Sequence, residues 1–371
     1  MKTFLHILLA TAFVVSFASS ADDPIDQQKL FRLHQRVRNG EKLTPEEQTY
    51  YERGKAEREK RITQHEPATT HATASTGMIP LTDMTADARY HGEDGGLYGG
   101  GSNTPPEAHL KAALEIAGKI QPLDAAGKPS PDGKIVLLTH GMSNTTQESQ
   151  AFIRLANASP EKNPSLVLVD GAQGGVDSRA WLGAPGAKRS GDPWKILEER
   201  VRAAGATPQQ VQVVWMKHAM IRPTQFGDFP KHAVQLKDDL AEISRRLRQQ
   251  FPNLRLAYLS SRIYAGYATT ELNPEPYAYE SAFAVRWLIQ DQIKGEASLS
   301  SSTGKAPLFL WGPYLWAAGE KGRKSGDLIF KREDLRADGT HPSETGQQKV
   351  AAQLLKFFTT DPTAKGWFLK R

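Results

Sequence analysis

An aspartate and a histidine three residues apart, in Ala337-Asp338-Gly339-Thr340-His341-Pro342-Ser343, are near enough on one loop to form a single hydrogen-bonded unit. The carboxylate would hold the imidazole in one tautomer and stabilise its protonated form, leaving the other ring nitrogen to take a proton from a nucleophile. A hydroxyl suited to that role lies far upstream in Thr139-His140-Gly141-Met142-Ser143-Asn144, just past the apolar run Ile135-Val136-Leu137-Leu138. The chemistry implied is attack by the Ser143 hydroxyl on an acyl carbon, with His341 as base and then acid and Asp338 as its orienter. Other chemistries find less support. The chain has no cysteine, which removes thiol catalysis, disulfides and cysteine metal sites. It has no His-Glu-x-x-His and no tight cluster of histidines with carboxylates; His65 and His71 stand in a stretch without nearby partners, so no metal and no other cofactor is expected.

Such residues work only if the fold brings them together. Beyond Asp132 the sequence alternates short apolar, partly β-branched runs with amphipathic stretches. Strands are expected at Lys134 to Leu138, Ser165 to Val169, Val211 to Trp215, Leu254 to Leu259 and Pro307 to Trp311. Helices are expected around Gln147 to Asn157, Trp194 to Ala204, Ala233 to Gln250, Tyr277 to Lys294 and Glu344 to Phe358, with Ser343 able to cap the last. Alternation of this kind implies right-handed crossovers and a parallel sheet covered on both faces, with functional loops beyond the carboxyl ends of the strands. Ser143 falls just after the first strand, and the Asp338–His341 loop falls just before the last helix.

In these blocks the chain resembles the SGNH hydrolases, the GDSL-type esterases, over roughly Pro131 to Thr359. Asp338 and His341 match that superfamily's Asp-x-x-His block, and Gly141-Met142-Ser143 matches its Gly-Asp-Ser block with Met in place of Asp. The resemblance implies a flavodoxin-like three-layer α/β/α domain with a mainly parallel five-stranded sheet, and an oxyanion hole that uses the Ser143 N–H. It also implies a glycine after the second strand; in Asp170-Gly171-Ala172-Gln173-Gly174-Gly175 the choice is Gly174, with Gly171 in reserve. The Gly-x-Asn-Asp block after the third strand is not recognisable, since Trp215-Met216-Lys217-His218-Ala219 stands there. Lys217 or His218 is expected to supply the missing donor, and otherwise Asn144. Arg262, at the end of the fourth strand, is expected to grip an anionic group on the substrate, with a structural ion pair to Asp170 or Glu280 as the alternative. Tyr277, Tyr279 and the tryptophans Trp181, Trp215, Trp311 and Trp316 are either cleft walls or core.

The rest of the chain bounds this reading. Residues 1–20 have the charged start, apolar run and small-residue end of a secretory signal, so an exported protein, secreted or periplasmic, is expected. Residues 21–65 read as a charged helical segment, with Thr44-Pro45-Glu46-Glu47 as a capping box, 66–77 as a linker and 78–371 as the hydrolase-like domain: a main domain plus a small N-terminal helical appendage. The Gly-dense stretch from Gly92 to Asn103 lacks the strand before it and the Lys-Ser/Thr pair after it that a phosphate cradle needs, so its glycines are assigned to tight turns. The net charge of +6 over 371 residues is interleaved rather than clustered, and neither nucleic acid nor a membrane span in the mature chain is expected. The expected substrate is a small-molecule or polysaccharide ester, most simply an O-acetyl group. A noncatalytic carbohydrate-binding relative and an O-acyltransferase using the same triad are the alternatives.

Overall fold

The computed structural model describes residues 25–26, 29–30, 33, 36–37, 42–64, 77–187 and 191–370. The expected export signal, His65, His71 and nearly all of the expected linker lie outside them. The chain divides into two compact units, residues 1–65 and 66–371. In the first, helix α1 spans Pro45–Gln64, and Thr44 and Glu47 exchange both bonds of a capping box: the Glu47 N–H donates to Thr44 Oγ1 at 3.2 Å and the Thr44 N–H to Glu47 Oε2 at 3.0 Å. Ile25, Leu30, Leu33 and Tyr51 form that unit's small apolar cluster.

The second unit is built on five parallel strands, β1 Ile135–Gly141, β2 Leu166–Asp170, β3 Val211–Lys217, β4 Leu256–Leu259 and β5 Leu308–Trp311, in the order β2-β1-β3-β4-β5. This is the flavodoxin-like order, and it places the reversal of strand order between β1 and β3, where open α/β sheets form their clefts. Both of those strands are buried along their whole length, as central strands covered on two faces must be. The edge strand β2 is only partly buried. Three helices escaped the sequence reading, α2 at Glu107–Ala117 and the one-turn helices Ser178–Trp181 and Lys365–Phe368. The others follow the strands: α3 Ser143–Ala158, α4 Pro193–Ala203, α5 Lys231–Gln250, α6 Tyr277–Ile293 and α7 Glu344–Thr360. The pair α3 and α7 pack on each other, as do α5 and α6.

The Gly-dense stretch is structural. Gly96 and Gly101 have φ of +85° and +75°, and a Cβ on Gly95 would stand 2.0 Å from the Met84 carbonyl oxygen, so this hairpin-like turn closes only with glycine. It docks on α6 and β5, where Arg286 donates to the Asp94 carbonyl at 2.7 Å and Trp311 Nε1 to the Leu97 carbonyl at 2.7 Å. Trp181, Trp215 and Trp316 are wholly buried, Trp311 nearly so, and Tyr279 lies in the core. They fill the interior rather than offer stacking faces to a sugar.

Candidate active site

Ser143 opens α3, directly beyond β1, so its own N–H belongs to the first turn, where helical N–H groups have no intrahelical acceptor. Getting the chain from β1 into that helix needs Gly141: an added Cβ would lie 2.2 Å from the Lys217 carbonyl oxygen and 2.4 Å from Thr145 Oγ1. Ser143 Oγ stands 2.9 Å from His341 Nε2, and His341 Nδ1 stands 2.5 Å from Asp338 Oδ2. With a carboxylate as its partner, Nδ1 carries the proton and Nε2 faces the serine with its lone pair, the form a general base requires.

The Asp338 carboxylate is itself built into the loop. Its Oδ1 accepts the N–H groups of Thr340 and His341, each at 3.0 Å. Burial pushes the carboxyl up, but the His341 hydrogen bond and charge and these backbone donors outweigh it and hold the group at about 2. Two neighbours fix the loop in turn: the Thr269 N–H donates to the Asp338 carbonyl at 3.1 Å and Asn144 Nδ2 to the Thr340 carbonyl at 2.9 Å. Ser343 caps α7 as expected, accepting from the Gly346 N–H.

The loop after β2 lies against the same turn, since the Gln173 N–H donates to the Gly141 carbonyl at 3.0 Å. The next residue, Gly174, is exposed, a Cβ there would meet nothing within 4 Å, and its N–H donates to no protein acceptor among the described residues. It is free to donate to a substrate oxygen. Gly171 has a packing role instead, for a Cβ would meet Leu197 Cδ1 at 2.3 Å.

Four expectations need correction. Asn144 is buried with its amide nitrogen committed to the Thr340 carbonyl, so it ties the Ser143 turn to the Asp338–His341 loop and is not free to donate to an oxyanion or another substrate group. Arg262 is only 2% exposed; its Nε donates to Asn273 Oδ1 at 3.2 Å, and its charge faces Glu148, Glu275 and Asp338 from within the protein rather than an anion in the cleft. The carboxylates that act on Arg262 are Glu148, Glu275 and Asp338 rather than the alternative partners Asp170 and Glu280, which accept from Thr139 and Gln150 and from Tyr90 and His232 respectively. Lys217 is sealed beneath the site in an ion pair with Glu148, so its ammonium is not available to an oxyanion. Burial lowers that ammonium to about 8 although the carboxylate opposes the shift, and burial likewise raises Glu148.

His218 lies 2.8 Å, Nε2 to Nδ1, from His140 in a buried pair that sequence reasoning did not anticipate. Only the adjacency of β1 and β3 brings them together. Trp181 covers His140 with ring centroids 4.0 Å apart. Burial holds His218 at about 3, and burial together with the His218 neighbour holds His140 well below its ordinary value; no carboxylate offsets either shift. Both rings therefore stay neutral in the folded protein while an unfolded chain protonates them near 6.5, so the unfolded state binds more protons and stability falls as pH drops below about 6.5 toward 3. In urea titrations between pH 6 and 5, His218→Gln should lose about 1.2 kcal/mol less than the unmodified protein, nearly one proton's worth. Equal slopes would show that the pair does not titrate on unfolding.

Among the described residues no group of three or more His, Asp or Glu side chains is arranged to hold a metal ion, and no helix is long and apolar enough to cross a membrane.

Serine behind the first strand, a strand order of 2-1-3-4-5 and Asp-x-x-His ahead of the last long helix agree with the arrangement that the resemblance to SGNH hydrolases implied. No protein-family model and no curated protein matches the sequence. Among solved structures, the chain is similar to a Clostridium thermocellum family 3 carbohydrate esterase at 14% identity, covering 62% of this chain and 97% of that one with a TM-score of 0.36. A Bacteroides fragilis protein described as an acylhydrolase aligns at 12% identity over 68% of this chain and 96% of its own, with a TM-score of 0.35. A gut microbial diltiazem-metabolizing enzyme aligns at 16% identity over 63% of this chain and 47% of its own, with a TM-score of 0.37.

Proposed function

We propose that this protein is an exported SGNH-type serine ester hydrolase that removes O-acyl groups, most simply acetyl, from a small-molecule or polysaccharide ester. The observation that carries the reading is the unbroken relay from Ser143 Oγ through His341 to Asp338, with separations of 2.9 and 2.5 Å and the base tautomer set by the carboxylate. Ser143 Oγ attacks the ester carbonyl as its proton passes to His341 Nε2. The carbonyl oxygen, now negative, is held by the N–H groups of Ser143 and Gly174. The imidazolium, stabilised by Asp338, returns the proton to the leaving alkoxide, and the alcohol departs from an acyl-Ser143 enzyme. Water then enters and gives a proton to His341 as its oxygen bonds to the acyl carbon; the second tetrahedral intermediate breaks its bond to Ser143 Oγ while His341 returns the proton to that oxygen, releasing the carboxylic acid and free Ser143. No cofactor takes part in these steps.

Labelling with a fluorophosphonate tests the reading. One equivalent should attach at Ser143, and acetyl ester hydrolysis should stop in proportion. A protein that stays unlabelled and inactive would be a binding relative. One that labels but passes its acyl group to a sugar hydroxyl in preference to water would be a transferase.

A further inference from the structure

Lys217 ends β3, Glu148 lies in the second turn of α3, and their side chains are 1% and 0% exposed. Lys217 Nζ is 2.7 Å from Oε1 and 2.5 Å from Oε2 of Glu148. Taking two charges out of water is costly, and an apolar pair of similar volume commonly stabilises a fold as well or better. Joining β3 to α3 for stability alone would not call for charge, so the place where the pair stands matters more than its strength.

That place is the nucleophile turn. Lys217 pairs with Gly141 in the sheet, two residues before Ser143. The Lys217 carbonyl accepts from Thr145 Oγ1 at 2.7 Å, two residues after Ser143, and its ammonium holds Glu148 further along the same helix. The missing Cβ of Gly141 is what lets that carbonyl approach. A single residue therefore grips the turn on both sides of the serine. The ionisable groups that face the pair are Arg262, which acts on both partners, and His341, which acts on the Glu148 carboxylate.

We propose that Lys217 and Glu148 are positioning residues for the nucleophile: the Lys217 carbonyl's bond from Thr145 and the Lys217–Glu148 ion pair together lock the start of α3 against the end of β3, keeping Ser143 Oγ in reach of His341. This rests on the Ser143 reading. It also gives Lys217 a role different from the oxyanion donor its sequence position suggested.

The test compares Lys217→Met, Glu148→Gln and the double variant Lys217→Met/Glu148→Leu by melting temperature, by kcat and KM for an acetyl ester, and by the rate of fluorophosphonate labelling at Ser143. Each single variant strands a buried partner and should melt well below the unmodified protein, whereas the double variant should regain most of the loss. A pair that only stabilises the fold would regain kcat at the same time, and that result overturns the proposal. The positioning role requires that kcat and labelling rate in the double variant stay about tenfold or more below the unmodified protein, with KM within roughly twofold. Should the double variant fail to fold, Thr145→Val, which removes only the hydroxyl bond to the Lys217 carbonyl, takes its place. It should lower kcat several-fold at constant KM, and an unchanged kcat overturns the proposal. Absence of labelling in the unmodified protein would overturn the Ser143 reading, and this inference with it; normal labelling with a fully active double variant overturns the inference alone.

Discussion

Ser143→Ala and His341→Ala should each lower kcat for a small acetyl ester by about 10⁴–10⁶-fold, because members of such a relay act as a unit and removing either ends nucleophilic catalysis. The Ser143 change should leave the melting temperature nearly untouched, since the hydroxyl's bond is to His341 alone among the described residues. Asp338→Asn is the more discriminating variant. Its side-chain oxygen can still accept the N–H groups of Thr340 and His341, so the loop keeps its shape. Its amide nitrogen, however, faces His341 Nδ1 as a donor and turns the ring to the tautomer with Nε2–H toward the serine. The expected loss is about 10⁴-fold in kcat. The carboxylate in the unmodified protein is held at about 2, so its own protonation leaves activity untouched across the neutral range. Turnover within tenfold of normal in purified Ser143→Ala would end the mechanism.

How much of this was legible beforehand divides along the difference between local and tertiary information. The apolar runs that became β2 and β5 were visible because each is bounded by turn residues, and their ends fall within a residue of expectation. The first strand was read as ending at Leu138, yet it continues through Thr139 and His140 to Gly141. Those polar residues can be buried because β1 lies between β2 and β3 and finds partners across the sheet, such as His218 for His140, which a single strand cannot show. The juxtaposition of Ser143, His341 and Asp338 was legible because two of them share one short loop and the third sits where a parallel sheet presents its loops. Arg262 was misread for the opposite reason. A cation at a strand end looks like a ligand grip, and only the buried loop that follows β4, tied down by Asn273 and by Glu275, turns it inward. Burial raises that Glu275 carboxyl to about 7, although it accepts N–H bonds from Ala265, Tyr279 and Trp316. Glu148 gave no signal at all. In sequence it is one more polar residue on an amphipathic helix, and its role exists only once Lys217 faces it.

The support beneath the Asp338–His341 loop leads to the second large effect, at Gly339 between the carboxylate and the imidazole. Its φ is +60°, and an added Cβ would stand 1.7 Å from the Tyr267 carbonyl oxygen and 2.7 Å from the Ala268 nitrogen. Neither side can yield easily. The Tyr267–Ala268 backbone is held by the Ala268 N–H bond to the Ala265 carbonyl and by Tyr267 packed edge-on to Tyr264, while the loop itself is fastened by Thr269 and Asn144. Gly339→Ala must therefore displace the loop, and a shift of about 1 Å at His341 suffices to cost roughly 10²-fold in kcat. Strain at a left-handed position should also lower stability by about 1–3 kcal/mol. The control is Gly174→Ala, in the loop after β2: the new methyl meets open space, the N–H is kept, and kcat should stay within a few-fold. Measured together on folded proteins, the two substitutions separate a glycine needed for close approach from one needed only for its amide. Equal activity in both would mean that the Asp338–His341 loop tolerates movement, and that the short relay seen here is not what sets the rate.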